Sequence, residues 1–125
     1  MKDNFVPYKI AVRLKELRFD EPCMAASIFR PDGEEVFKIL LTPSKPNYNK
    51  WDLYYPLLQQ VKKWFLKKHG VHTTIDWEFY DGFHYFFKYT FPNGTYGQSD
   101  EYYDTMDEAE IQLIEKIIGM LAVNK

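Results

Sequence analysis

The chain has 125 residues, of which 46% are hydrophobic and 18% aromatic, with a net charge of −2. That is apolar material for one core, and residues 1–125 read as a single domain. The charge argues against a polyanion-seeking or membrane-surface protein. The cations, thirteen Lys and only three Arg (Arg13, Arg18, Arg30), are a poor set for bidentate phosphate or base reading.

In chain order, a first helix is expected from a cap at Asn4 to about Leu17, with Pro7 tolerated in its first turn. Val6, Ile10, Leu14 and Leu17 form one stripe, and Phe5, Tyr8, Val12 and Phe19 fall opposite. Either the helix lies between two apolar surfaces, or Phe5 and Phe19 are off its ends, or Tyr8 and Val12 form an exposed patch that meets a partner. A hairpin follows, Cys23–Phe29 and Glu35–Leu41. Its Pro31-Asp32-Gly33 loop sets Cys23, Ala25 and Ser27 opposite Leu41, Ile39 and Phe37. A lone cysteine excludes an internal disulfide, and Cys23 reads as a buried strand residue in a reducing compartment.

Residues 42–51 are a polar loop. A second helix is expected from Leu53 to His69, with Asp52 as cap and Gly70 as stop. Tyr54, Leu57, Leu58, Val61, Trp64 and Phe65 share its apolar face. Gln59, Gln60, Lys62, Lys63 and Lys67 share the other, which holds the chain's only basic cluster.

The stretch 75–91 is expected to organise the fold. A two-residue Asp81-Gly82 loop would mix carboxylates into the aromatic face. A three-residue Tyr80-Asp81-Gly82 loop pairs Phe79 with Phe83, Trp77 with Tyr85 and Ile75 with Phe87, which puts every large apolar side chain on one face. The turn is expected to be type I followed by Gly82 at positive φ. The Pro31-Asp32-Gly33 and Pro92-Asn93-Gly94 loops should repeat it. The ring slab from Trp77 to Phe87 would then be the floor for all three helices, with Asp76, Glu78, His84, Phe86 and Lys88 on a wet outer face. A short strand follows from Thr95 to about Tyr103. The capping box Thr105-Met106-Asp107-Glu108 opens a third helix to about Leu121. Its apolar arc spans about 200°, so it is either deeply embedded or part of a subunit contact.

The order α-β-β-α-β-β-β-α reads as α+β: two layers, an antiparallel sheet of about five strands and three helices. No phosphate loop, dinucleotide fingerprint or nucleophile elbow occurs. No cofactor or metal set is implied, and no residue set supports an enzyme. The opening Met1-Lys2-Asp3-Asn4-Phe5 lacks the apolar core of a signal peptide and no run approaches a membrane span, so a cytoplasmic location is expected.

The order of elements from Leu53 to Leu121, and the run Phe87-Lys88-Tyr89-Thr90-Phe91-Pro92-Asn93-Gly94-Thr95-Tyr96-Gly97, resemble the double-stranded RNA-binding domain, with Ala109 as the alanine of its last helix. The resemblance implies the fold. The family grips phosphate with lysines where this chain has Asp104, Thr105, Asp107 and Glu108, and carboxylates there repel RNA. The whole chain also resembles small uncharacterised phage and prophage proteins. That likeness rests on Phe5-Val6-Pro7-Tyr8, Leu14-Lys15-Glu16-Leu17, Phe19-Asp20-Glu21-Pro22-Cys23, Gln59-Gln60 with Trp64-Phe65, and Tyr102-Tyr103-Asp104-Thr105 with Glu108-Ala109-Glu110. It implies an accessory role.

The expected function is a non-enzymatic module that binds a protein partner through Tyr8, Val12 and Met120, with a homodimer through the last helix as one form of that contact. The alternative is a nucleic-acid module using Lys62, Lys63, Lys67, His84, Phe86 and Lys88.

Overall fold

In the computed structural model, which describes residues 4–123, three helices and six strands follow in the order α1 (Tyr8–Glu16), β1 (Cys23–Phe29), β2 (Glu35–Ser44), β3 (Leu53–Tyr55), α2 (Leu58–His69), β4 (His72–Phe79), β5 (Phe83–Thr90), β6 (Tyr96–Gln98) and α3 (Met106–Val123). The leader expectation drawn from Met1-Lys2-Asp3 lies outside the described residues. The class is α+β, as expected. The strands, however, form two three-stranded antiparallel sheets, β2-β1-β3 and β4-β5-β6, rather than one sheet of about five strands in two layers. The residue that decides this is Pro56. Its ring disfavours helical backbone at Tyr55, so Leu53–Tyr55 pairs as a strand and α2 starts at Leu58. The chain packs as two units, one up to Gln60 and the other from Val61, and α2 crosses the division.

In the first unit β1 is the middle strand, and its Ala25, Ala26 and Ser27 are fully buried. Small residues there face large ones on both sides: Ala25 pairs with Ile39 and Tyr55, Ala26 with Lys38 and Tyr54, Ser27 with Phe37 and Leu53. The expected register holds for Ala25 and Ser27. It fails at Cys23, which pairs with Ser44 because β2 bulges, and Leu41 is thrown fully into solvent. The Pro31-Asp32-Gly33 loop is the expected turn. Gly33 N–H donates to Arg30 O at 2.8 Å, Asp32 Oδ1 accepts from Glu34 N–H at 2.9 Å, and Gly33 has φ 89°.

Helix α1 packs on β3. It begins after Pro7, whose carbonyl accepts the first bonds, and Asn4 does not cap it. Phe5 and Phe19 are buried off its ends, and Phe5 bridges Leu57. The helix closes with Phe19 N–H on Leu14 O and Arg18 N–H on Lys15 O, a Schellman end with Arg18 at φ 63°. Asp52 does not cap α2 either; its Oδ2 accepts the Phe29 N–H at 2.6 Å. Instead the Gln60 side chain reaches back to the Leu57 N–H at 3.0 Å, one half of a capping box.

In the second unit the register is the one expected: Phe79 with Phe83, Trp77 with Tyr85, Ile75 with Phe87. The Phe91–Thr95 turn repeats the first hairpin's bonding, with Gly94 N–H on Phe91 O and Asn93 Oδ1 on Thr95 N–H. The Tyr80-Asp81-Gly82 turn does not, because Asp81 and Gly82 both take positive φ, 53° and 125°. No proline pre-sets its first residue in the right-handed region, as Pro31 and Pro92 do elsewhere. Helix α3 packs on β4 and β5 and starts with the expected cap, Glu108 N–H to Thr105 Oγ1 at 3.1 Å. Ala109, Leu113, Ile114, Ile117 and Ile118 are all buried, so the centre of its arc is embedded, while Met106 is exposed and Ile111, Met120 and Leu121 are half-buried.

Candidate interaction surface

The ring slab is covered only at one end. Phe87 and Tyr89 are buried beneath their neighbours, but the rings nearest the Tyr80-Asp81-Gly82 turn stand in water: Trp77 is 54% exposed, Phe79 67%, Tyr80 82% and Phe83 52%. This overturns the expectation that the slab from Trp77 to Phe87 is a floor for the helices. The cause is position. Residues beside a hairpin loop lie at the end of the sheet, where the loop itself keeps to the surface. The exposed rings are ordered against each other, Phe83 lying edge-on to Trp77 at 5.2 Å and to Phe79 at 5.1 Å between centroids. Such pairs contribute about 0.5–1.5 kcal/mol each, enough to hold the rings together without covering them. Together these side chains leave on the order of 500 Å² in solvent, within the roughly 300–600 Å² of a monomer's largest apolar patch, which is often a functional one.

The opposite face of the hairpin carries charge. Lys88 Nζ lies 3.6 Å from Asp76 Oδ2, both side chains about half exposed. Glu78 sits beside Tyr102, whose hydroxyl it pushes above its ordinary pKa after burial has done so. Phe86, expected on this face, is only 5% exposed, and the Tyr102 ring covers it edge-on at 5.4 Å. His84 lies 2.9 Å from Tyr80 O through Nε2. Among the described residues no three His, Cys, Asp or Glu side chains gather as a metal site.

The other expected surface residues are scattered. Tyr8 is exposed and its ring meets Phe29 edge-on, while Val12 beside it is half-buried. Met120, in the second unit, is half-buried and lines a depression of about 380 Å³ with Glu115, Lys116 and Val123. Of the lysines, Lys63 and Lys67 are exposed. Lys62 is mostly buried and lies 3.4 Å from Glu110, itself only 4% exposed.

Two further groups belong to the first unit. Glu35 accepts hydrogen bonds from Ser27 Oγ at 2.7 Å and from the Tyr55 hydroxyl. Each of the three strands supplies one member. Burial first, and then the Glu35 carboxylate, push the Tyr55 hydroxyl far above its usual pKa, so it stays a donor. The cluster is internally satisfied and has no histidine to take a proton. Burial, with Glu21 second, pushes the Cys23 thiol up to about 12, and Cys23 donates to Glu21 O at 3.4 Å. At neutral pH it is a thiol, not a nucleophile.

Sequence reasoning named Tyr8, Val12 and Met120 and passed over Trp77, Phe79, Tyr80 and Phe83, because alternation gives which face a ring shares and not whether anything covers that face. The signal was their distance from the loop. Compared with protein-family models, with curated proteins and with solved structures, the chain matches none of them.

Proposed function

We propose that this protein is a non-enzymatic interaction module that binds a protein partner through the ring cluster at the tip of the β4–β5 hairpin. The observation that carries this reading is the exposure of Trp77, Phe79, Tyr80 and Phe83 together. Large, rigid aromatic side chains supply contact area at small entropic cost and dominate the centres of protein interfaces. The likeness to phage and prophage proteins fits an accessory role in the cytoplasm, with the host or the mobile element supplying the partner. Tyr8 and Val12 offer a second, smaller contact.

The nucleic-acid alternative draws less support. Lys62 stands against a buried carboxylate, and giving that up is costly. Phe86 is not free to stack on a base. The Lys88–Asp76 pair is half exposed and worth about 0.2–1 kcal/mol, so Lys88 can be released, but it lies on the sheet and the exposed Lys63 and Lys67 on α2.

The test compares the wild-type chain with Trp77→Thr/Phe83→Thr as baits in the native host, followed by affinity measurement on the purified captured protein. The double variant should fold with an unchanged circular dichroism spectrum and bind at least tenfold more weakly. Equal affinity would remove the ring cluster from the function.

A further inference from the structure

We propose that the free edge of β4 takes up an extended segment of the partner as an added strand, and that this segment alternates large apolar with basic residues. The inference rests on the protein-partner reading and specifies its chemistry.

The edge follows from the bonding of β5. Tyr85 exchanges both backbone bonds with Tyr103, at 2.8 and 2.7 Å. Phe87 O accepts from Ser99 N–H at 3.0 Å, and Phe87 N–H donates to Ser99 Oγ at 3.3 Å. These residues turn their N–H and C=O groups away from β4. In an antiparallel ladder their opposite numbers, Trp77 and Ile75, must then turn theirs away from β5, and the alternation carries the same orientation to Thr73 and Phe79. Among the described residues strand β4 is the outer strand of its sheet. It therefore offers a row of outward donors and acceptors, the template that an extended chain pairs with.

One of those donors is plugged. The Trp77 N–H donates to Asp76 Oδ1 at 2.8 Å, while the other carboxylate oxygen faces Lys88. Side-chain plugging of this kind keeps an edge from pairing indiscriminately. A partner carbonyl displaces the carboxylate from the N–H, and the freed Asp76 is then available to a cation on the incoming strand.

The two faces of β4 define the rest of the ligand. Ile75, Trp77 and Phe79 lie on the ring face, so the residues set beside them are large and apolar. Asp76 and Glu78 lie on the other face, with Asp81 at the tip and Lys88 the cation facing them. The residues set beside Asp76 and Glu78 are therefore Lys or Arg.

The probe is the synthetic peptide acetyl-Lys-Val-Lys-Tyr-Lys-Val-Lys-amide, titrated into the full chain labelled with nitrogen-15. Amide shifts should concentrate on residues 73–79. An added strand points every second N–H at β4. Methylating one alternate set of peptide nitrogens should weaken binding at least tenfold, and methylating the other set should change it less than threefold. Replacing Lys by Glu in the peptide should also cost at least tenfold. Phe79→Pro should bind at least fivefold more weakly than Phe79→Ala, since both lose the ring and only the first loses the outward N–H. Equal effects of the two methylation sets, shifts centred elsewhere, or no binding of the lysine peptide at millimolar concentration would overturn strand addition. A captured partner that is sensitive to Trp77→Thr/Phe83→Thr but indifferent to Phe79→Pro against Phe79→Ala would also overturn it, while leaving the protein-partner reading standing.

Discussion

The two sheets have the same strand number, one in the order β2-β1-β3 and the other the meander β4-β5-β6, and they distribute bulk in opposite ways. In the first, the middle strand β1 carries Ala25, Ala26 and Ser27, and size comes from its flanks, Tyr54, Tyr55, Phe37 and Ile39. Small residues at the centre let large neighbours close over them and leave room beside Ser27 for the half-buried Glu35 carboxylate, held by two hydroxyls. In the second, the middle strand β5 carries Phe86, Phe87 and Tyr89, and β4 adds Ile75, Trp77 and Phe79 opposite more rings. There the rings outnumber the cover, and the surplus falls at the hairpin tip. Both sheets leave apolar side chains in water, Ile28, Phe29, Ile39 and Leu41 on the first and Trp77, Phe79 and Phe83 on the second, but on the second they are rings set edge-on to one another at a single hairpin tip.

The largest expected effect comes from reversing that distribution where the second sheet does use a small residue. Gly97 pairs with Tyr89, and a Cβ at Gly97 would overlap the Tyr89 ring. The ring is buried between Phe87 and Phe91. Gly97→Val must either expel it or shift β6, at a cost of about 3 kcal/mol, read by denaturant unfolding. In a Tyr89→Ala background the same change should cost well under half as much, because the overlap is gone. An additive cycle would mean that the glycine is not there for the ring.

The middle strands also show how much could be read beforehand. Pairing was legible in the β4–β5 hairpin, since a one-residue slip would carry Phe79, Trp77 and Ile75 to the other face, and in the first hairpin up to Ala25 but not at Cys23; of the third hairpin the turn was legible, pre-set by Pro92 as the first is by Pro31. Strand β3 was not, because Leu53, Tyr54 and Tyr55 suit a helix face as well as a strand, and only Pro56 separates the two. The division into two sheets went with it. The interaction surface was legible as a set of rings on one face but not as a surface, because exposure depends on what packs over a face and alternation is blind to that. The Asp81-Gly82 turn shows the same limit in small: the loop length follows from the ring register, the backbone angles do not.

A smaller effect tests the first sheet's polar interior. Tyr55→Phe removes one of the donors to Glu35 and keeps the ring that meets Phe37 at 5.1 Å. A hydrogen bond to a charged acceptor contributes about 1.5–3 kcal/mol. Because Ser27 still donates, a loss near 1.5 kcal/mol in urea unfolding is expected. No loss would mean that the cluster fills space without contributing its bonds, and the contrast with the ring-filled second sheet would shrink to one of volume.

The smallest expected effect has the opposite sign and isolates the backbone from either sheet's packing. Arg18 closes α1 at φ 63°, a left-handed conformation that costs a non-glycine residue roughly 1–2 kcal/mol. The closing bonds, from Phe19 to Leu14 and from Arg18 to Lys15, involve only main-chain groups, and the Arg18 side chain is exposed. Replacement by glycine keeps both bonds and removes the steric cost. It gives back about 0.5–1 kcal/mol through the greater freedom of glycine in the unfolded chain. Arg18→Gly should therefore stabilise the protein by about 0.5 kcal/mol, seen as a higher denaturation midpoint with an unchanged slope. A lower midpoint would show that the arginine side chain holds the turn through contacts of its own, and that the buried pair Leu14 and Phe19 does not suffice to close the helix.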